Sequence, residues 1–93
     1  MDQADKLLNN PIRLVVVSNL HQVALADFTA LIELTGATKG NLSIQLKKLQ
    51  EANYIKIEKS FKDNYPHTRG SITKQGQHAF EKHVAYIKKL LQL

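Results

Sequence analysis

The stretch that decides the fold runs from residue 27 to residue 53 and reads DFTALIELTGATKGNLSIQLKKLQEAN. Apolar residues recur at helical spacing on both sides of a short break, Gly36-Ala37-Thr38. Asp27 and Thr38 are residue types that begin helices, and Gly36 ends the first of the two. Asn53 suits the left-handed position that ends the second. Two helices joined by a three-residue turn that contains glycine indicate a helix-turn-helix.

The flanking sequence predicts further elements on both sides of this pair. Asn10-Pro11 begins a helix that ends near Leu20, and residues 23–26 can form a short strand. After Asn53 the apolar period changes to two, which predicts a strand over 54–59. A polar loop over 61–67 and a return strand over 68–72 follow, and then a helix capped by Thr73.

This order of elements is typical of a mainly α fold with a small β-hairpin wing. We expect a winged helix-turn-helix with an added C-terminal dimerisation helix, built as one domain. Its predicted parts are the whole domain at 1–93, the helix-turn-helix at 27–53, the wing at 54–72 and the C-terminal helix at 73–91.

Composition excludes several classes of protein. Apolar residues make up 43% of the chain and charged residues 23%, and the longest apolar run, residues 14–17, is too short to cross a membrane. The opening Met-Asp-Gln-Ala-Asp has no secretory signal. We therefore expect a soluble, cytoplasmic protein with no membrane partner. The absence of cysteine excludes disulfides, thiolate metal sites and a thiol nucleophile.

The histidines and serines offer no site for a metal or for catalysis. Two of the four histidines, His78 and His83, share a predicted helix, but they are five residues apart and ligands on one face need a spacing of three or four. The chain has no glycine-rich phosphate loop and no nucleophile elbow. Ser43 and Ser71 lack a histidine placed to activate them. We predict no metal, no cofactor and no enzymatic activity.

The net charge of +5 lies entirely between Thr38 and Lys74. That segment holds eight basic and three acidic residues, whereas the rest of the chain holds five of each. A positive potential confined to one segment attracts a phosphate backbone. A solvated lysine face has the same composition, so charge alone leaves both interpretations open.

The second helix of the pair carries side chains suited to reading DNA. In a helix-turn-helix its N-terminal residues enter the major groove, where Asn and Gln pair with adenine and Lys reaches guanine or phosphate. Any solvated helix face can carry the same residue types. The predicted DNA-reading residues are Thr38, Lys39, Gly40, Asn41, Ser43, Ile44, Gln45 and Lys47.

Short strings spread over residues 10–91 resemble the winged-helix transcriptional regulators related to the MarR and ArsR families. The recognition helix carries Gly40-Asn41-Leu42-Ser43, and the exit into the wing reads Ala52-Asn53-Tyr54-Ile55. The likeness continues through Lys59, Phe61, Pro66 and Thr68, and through Thr73, Gly76, Ala79, Phe80 and His83. Gln45 stands where relatives usually have histidine, which leaves the base preference open. Asn53 stands where they usually have glycine, and this exchange is tolerated because asparagine accepts the left-handed conformation. The cysteine clusters of metal-sensing relatives are absent.

The resemblance implies that the wing contacts phosphates or the minor groove. Solubility alone would also account for these charges, and Arg13 is either a weaker phosphate contact or the partner of an acid. The wing residues that we expect at DNA are Lys59, Lys62, His67 and Arg69.

The last helix carries two adjacent apolar stripes, more than one small core needs. This predicts a homodimer, and the alternative is that the helix only covers its own core. The predicted dimer residues are Leu7, Leu8, Phe80, His83, Val84, Ile87, Leu90 and Leu91.

Together these features predict a sequence-specific regulator of transcription that binds double-stranded DNA as a homodimer on a palindromic operator. No residue identifies a small-molecule effector. The alternative is a winged-helix module that binds a protein partner without reading DNA.

Overall fold

In a computed structural model of the chain, residues 4–93 are described, and four helices and one three-stranded antiparallel sheet are found among them. The elements are α1 (Pro11–Gln22), β1 (Ala26–Asp27), α2 (Phe28–Thr35), α3 (Lys39–Glu51), β2 (Ile55–Lys62), β3 (Tyr65–Ile72) and α4 (Lys74–Leu91). This confirms the predicted winged helix with its C-terminal helix. Residues 1–3, which belong to the predicted domain and to the opening stretch without a signal, lie outside the described part.

Three of the helices begin with a side chain that accepts a hydrogen bond from the backbone N–H three residues later. These caps are Asn10, Thr38 and Thr73. Asp27 has the extended backbone of a helix cap, but its side chain makes no capping hydrogen bond. Gly36 ends α2 at a φ of 70° and Asn53 follows α3 at a φ of 62°, both in the left-handed region. Gly36 and Asn53 therefore end α2 and α3 as predicted.

The wing is longer and more regular than predicted. β2 and β3 pair from Ile55 with Ile72 to Lys62 with Tyr65, so that only Asp63 and Asn64 form the turn. Both turn residues have positive φ, 53° and 66°, as a two-residue type I′ hairpin requires. The predicted loop over 61–67 was therefore wrong, because its polar composition belongs to two exposed strands.

Two smaller boundaries also differ from the prediction. α1 continues to Gln22 instead of ending near Leu20, and the short strand is Ala26–Asp27 instead of 23–26. β1 pairs with β3 at Gly70 and Arg69, which places β3 in the centre of the sheet. Pro66 is tolerated in this central strand because β1 does not extend that far and no β1 residue needs its missing N–H.

One hydrophobic core joins the helices to the base of the wing. Its buried members are Leu8, Val16, Val17, Leu20, Leu31, Leu42, Leu46, Leu49 and Ile55. Three of them come from α3, and Ile57 packs against the cluster from the same face of the wing as Ile55. The face of α3 opposite to these leucines is left to solvent.

Gly76, in the first turn of α4, lies directly against the exit from α3. The Tyr54 carbonyl accepts a hydrogen bond from the Thr73 backbone N–H at 3.0 Å, which holds the start of α4 against this carbonyl. A Cβ atom on Gly76 would lie 2.1 Å from the Tyr54 oxygen. Since that oxygen belongs to the backbone, it cannot move aside as a flexible side chain would.

Gly76→Ala should lower the free energy of unfolding by about 1 to 3 kcal/mol, the usual cost of forcing an extra carbon into a packed site. Gly40→Ala is the matched control, because a Cβ there meets no atom within 4 Å. It should leave stability unchanged or raise it by up to about 1 kcal/mol through helix propensity. Urea unfolding at one fixed protein concentration measures both, and equal losses in the two variants would contradict this account.

Candidate nucleic-acid interface

The N-terminal half of α3 presents a polar face to solvent. Thr38, Lys39, Gly40, Asn41 and Ser43 are exposed, and so is Lys47 one turn further on. Ile44, the apolar residue in this face, is 55% exposed. The helix can present these side chains because the leucines on its other side are buried.

A groove lies between α3 and the wing. Its polar lining comes from Ser43, Lys47 and Gln50 on the helix and from Lys59 and Thr68 on the two wing strands. The structure therefore brings the predicted reading helix and one predicted wing cation to a common surface. Gln50 and Thr68 were not predicted to be there. Gln50 follows Ser43 and Lys47 at helical spacing and could have been found, whereas Thr68 depends on the hairpin register.

Gln45 is not on this surface, which corrects the expectation that it is exposed among the DNA-reading residues. Its side chain is 8% exposed and faces α1. Arg13 donates from Nη1 to Gln45 Oε1, and Gln45 donates from Nε2 to Asn41 Oδ1 at 3.0 Å. Arg13 also donates from Nε to the Leu7 carbonyl oxygen at 2.6 Å. Arg13 was predicted either to contact a phosphate or to pair with an acid, and within the chain its hydrogen-bond partners are instead an amide oxygen and a backbone carbonyl.

The wing cations divide between the two faces of the hairpin. Residues of a strand alternate between faces, so Lys59 shares the face of Ile57 that looks toward α3. The three other predicted wing residues, Lys62, His67 and Arg69, lie on the opposite face and line one shallow depression. They do not form a single basic patch with Lys59.

Arg69 sits among acidic neighbours. It is opposite Glu58 on β2 and opposite Asp27 on β1. Its Nε is buried and has no hydrogen-bond partner within residues 4–93. Arg69 therefore has an acidic residue directly opposite on each neighbouring strand, whereas the exposed Lys62 is opposite Tyr65.

Half of the predicted dimer residues pack inside the chain. Leu8 is fully buried and His83 is 3% exposed, which corrects their assignment to a dimer surface. Leu7 and Phe80 pack against the same core. The other four residues lie toward the C-terminal end of α4, where Val84 and Ile87 are half-buried and Leu90 and Leu91 are 65% and 60% exposed.

The N-terminal segment is held by Asp5, a residue that no sequence motif indicated. The Asp5 backbone N–H donates to His83 Nδ1 at 3.1 Å, and Tyr54 donates its hydroxyl to Asp5 Oδ2 at 2.7 Å. Partial burial, followed by the hydrogen bond to Asp5 and the charge of that carboxylate, raises the pKa of Tyr54 to about 12. Because 78 residues separate Asp5 from His83, no local pattern indicates this contact.

No group of three or more potential metal ligands occurs within residues 4–93. The same part of the chain contains no helix long and apolar enough to span a membrane.

Comparisons with known proteins give the following likenesses. The family described as winged helix DNA-binding domain matches residues 12–91. An uncharacterized protein of Methanocaldococcus jannaschii is 33% identical over 88 residues, which are 95% of this chain and 92% of that protein. A transcriptional regulator homologue of Pyrococcus horikoshii OT3 superposes with a TM-score of 0.85 at 26% identity, over 92% of this chain and 85% of its own. The YusO protein of Bacillus subtilis shares the fold, with a TM-score of 0.82 at 21% identity over 94% of this chain and 61% of its own.

The matched family is thus a winged helix DNA-binding domain, and the Pyrococcus horikoshii neighbour is described as a homologue of a transcriptional regulator. The resemblance predicted from the sequence is therefore confirmed at the level of the family.

The raised pKa of Tyr54 gives a test of the Asp5 contact. The folded chain keeps the phenol proton between pH 10 and about 12, where the unfolded chain loses it. The contribution of Tyr54 to stability should be complete below pH 10 and should fall as the pH rises toward 12. Asp5→Asn should bring the pKa of Tyr54 back toward its ordinary value of 10.0.

Absorbance titration of tyrosinate measures this pKa, and subtraction of the Tyr54→Phe titration isolates Tyr54 from the two other tyrosines. A Tyr54 pKa that stays near 12 in Asp5→Asn would refute the contribution of the carboxylate.

Proposed function

Because the chain belongs to the winged-helix DNA-binding domain family, we propose that it regulates transcription by sequence-specific binding to double-stranded DNA. The observation that carries this proposal is the groove that brings the polar face of α3 and the wing residue Lys59 to one surface. In this arrangement α3 lies in the major groove with its N-terminus foremost, and the wing lies beside it. We further propose that the protein meets this DNA in the cytoplasm.

Lys39, Asn41 and Ser43 are the residues of α3 that we propose to read base edges. All three are exposed in the first turn and a half of the helix, where side chains reach the major-groove edges. Ile44 adds an exposed apolar side chain that suits the methyl group of thymine. Thr38, Gly40 and Lys47 serve the phosphate backbone, since the helix N-terminus offers N–H groups to an anion and Gly40 leaves the backbone bare.

The wing contributes phosphate contacts, which position the protein without specifying sequence. Among the predicted wing cations, Lys59 is the one that lines the groove beside α3. Lys62 and His67 reach phosphates when the edge of the hairpin lies along the backbone, because both faces then meet DNA. Arg69 is the weakest of the four wing candidates, since Asp27 and Glu58 flank it.

We propose that the regulator is a homodimer that binds a palindromic operator. The support is the apolar C-terminal end of α4, where Leu90 and Leu91 are exposed beyond the last buried side chain, His83. A two-fold dimer doubles the DNA contact and sets the half-sites about one helical turn apart, roughly 34 to 36 Å. We propose no enzymatic activity, in keeping with the family.

One observation favours a second candidate function, docking to a protein partner. Phe61 and Tyr65 near the tip of the wing are 80% and 71% exposed, and exposed aromatic side chains are enriched in protein interfaces. A module that binds protein through this tip would have no need of the polar face on α3.

DNA binding is tested by fluorescence anisotropy of labelled duplexes from upstream of the gene, measured at two salt concentrations. Affinity should fall steeply with salt, with a slope of about −0.9 for each phosphate neutralised. Asn41→Ala should weaken specific binding by about 1 to 3 kcal/mol. Gln77→Ala, an exposed polar residue of α4, is the matched control. Gly40→Ala should bind more weakly although it folds at least as stably.

The absence of binding to any duplex at low salt would contradict the proposal and favour the protein-docking function. An unchanged operator affinity in Asn41→Ala would remove Asn41 from the reading residues.

The dimer is tested by sedimentation velocity. The wild-type chain should sediment at about twice its 10.5 kDa mass, and Leu90→Glu should shift it to monomer because the proposed dimer would bury a carboxylate among apolar side chains. Leu34→Glu is the control, since Leu34 is also an exposed leucine, at 52%, but lies on α2. A monomeric wild type at the concentrations that bind DNA would overturn the dimer.

A further inference from the structure

We propose that Arg13 and Gln45 fix the side-chain amide of Asn41 so that its NH₂ group, and not its carbonyl oxygen, faces the DNA. The consequence is a preference at that position for base edges that accept hydrogen bonds. This inference rests on the proposed DNA-binding function and adds to it the residues that determine specificity.

Arginine takes only one role in a hydrogen bond. A guanidinium group can donate hydrogen bonds but cannot accept them. The Nη1 of Arg13 contacts the side chain of Gln45, so the atom that meets it must be the acceptor, Oε1. Arg13 is itself held in place, because its Nε donates to the Leu7 carbonyl oxygen and it lies in the first turn of α1.

Gln45 in turn orients the side chain of Asn41. With Oε1 directed at Arg13, the NH₂ group of Gln45 is directed at Asn41 and donates to Oδ1 at 3.0 Å. The two residues are one helical turn apart on the same face of α3. Gln45 is 8% exposed, so a flipped amide would bury an NH₂ group against a guanidinium, and a donor would then face a donor. The Gln45 amide therefore has one stable orientation.

The NH₂ group of Asn41 is the part of this side chain that remains for a partner outside the protein. Its carbonyl oxygen accepts from Gln45, and its Nδ2 makes no hydrogen bond within the described chain. The Asn41 side chain is exposed at the N-terminal end of α3. It therefore presents two N–H donors outward.

Base edges differ in their response to such a donor. Guanine shows two acceptors, O6 and N7, in the major groove, whereas adenine pairs an acceptor with an N6 donor. The usual bidentate pairing of asparagine with adenine needs the carbonyl oxygen to face that N6 donor. A donor-only presentation favours guanine, or O4 of thymine, over adenine. The expectation of adenine from the residue type alone is thus changed by two neighbours, one of which is on another helix.

Gln45→Glu tests this orientation. A carboxylate only accepts hydrogen bonds, so it keeps the bond from Arg13 and forces Asn41 to turn its NH₂ group inward. The carbonyl oxygen of Asn41 then faces outward and favours edges that donate, those of adenine or cytosine. Selection of bound duplexes from a random library, followed by anisotropy on single-base variants, measures the preference. At the position read by Asn41 it should move by about tenfold from acceptor to donor edges.

Two further variants separate orientation from charge and from folding. Asn41→Asp leaves the hydrogen bond from Arg13 to Gln45 intact and also presents only acceptors outward, so it should move the preference in the same direction. Gln50→Glu makes the same change of charge at an exposed site on α3 and should weaken binding to all sequences without a change in preference. Unfolding measurements show whether Gln45→Glu is folded, and Asn41→Asp carries the test if it is not.

The amide orientation also has a readout that needs no DNA. In nuclear magnetic resonance spectra of the free protein, the side-chain NH₂ of Gln45 should exchange slowly with water and that of Asn41 quickly. In Gln45→Glu the NH₂ of Asn41 should become protected.

The outcomes distinguish this inference from the proposed function. Wild type that binds no duplex, with the predicted exchange pattern, defeats the proposed function but leaves the orientation intact. Sequence-selective binding whose base preference is the same in wild type, Gln45→Glu and Asn41→Asp overturns the inference. A protected Asn41 NH₂ in the free wild-type protein overturns it as well.

Discussion

Three leucines of α3, Leu42, Leu46 and Leu49, are at most 5% exposed and hold the helix against α1 and the start of β2. Burial of each such side chain contributes about 1.5 to 3 kcal/mol, which is large for a core of this size. Once this face is buried, the helical period determines which residues of α3 are exposed to solvent. The left-handed residue Gly36 then sets the direction in which the chain continues from the end of α2 toward α3.

Hydrophobic packing and polar contacts have different tasks in this helix. The leucines fix its position and rotation, but they do not decide which way an exposed amide points. That decision needs a hydrogen bond with a defined donor, and the only side chains that define one without ambiguity are those that donate or accept exclusively. Arg13 supplies this direction from α1, and Gln45 transmits it within the buried side of α3.

Much of the fold could be predicted because local rules agree with it. The helix caps at Asn10, Thr38 and Thr73 and the stops at Gly36 and Asn53 are each set by one residue and its neighbours. The wing was harder, since Asp63-Asn64 forms a two-residue turn inside a stretch as polar as a loop. The prediction of the site was wrong where it depends on contacts between residues far apart in sequence. Gln45 is polar, but it is buried through its hydrogen bond with Arg13, 32 residues away. His83 and Leu8 were predicted to face a dimer partner because their burial also depends on contacts far apart in sequence. Asp5 bonds to His83, and Leu8 packs into the core.

That N-terminal segment joins the two surfaces on which the proposed function depends. Asp5 bonds to His83 of α4 and to Tyr54 at the entrance of the wing, and two residues later the Leu7 carbonyl holds Arg13. From Arg13 the hydrogen bonds continue through Gln45 to Asn41. The orientation of the reading amide therefore depends on the seating of a segment that also packs against the helix proposed to form the dimer. Such a chain of bonds is a structural connection, and it becomes allosteric coupling only if the free energies of the two surfaces depend on each other. Arg13 is the hydrogen-bonded link through which that dependence would reach Asn41, because it contacts both the Leu7 carbonyl of the N-terminal segment and Gln45 of α3.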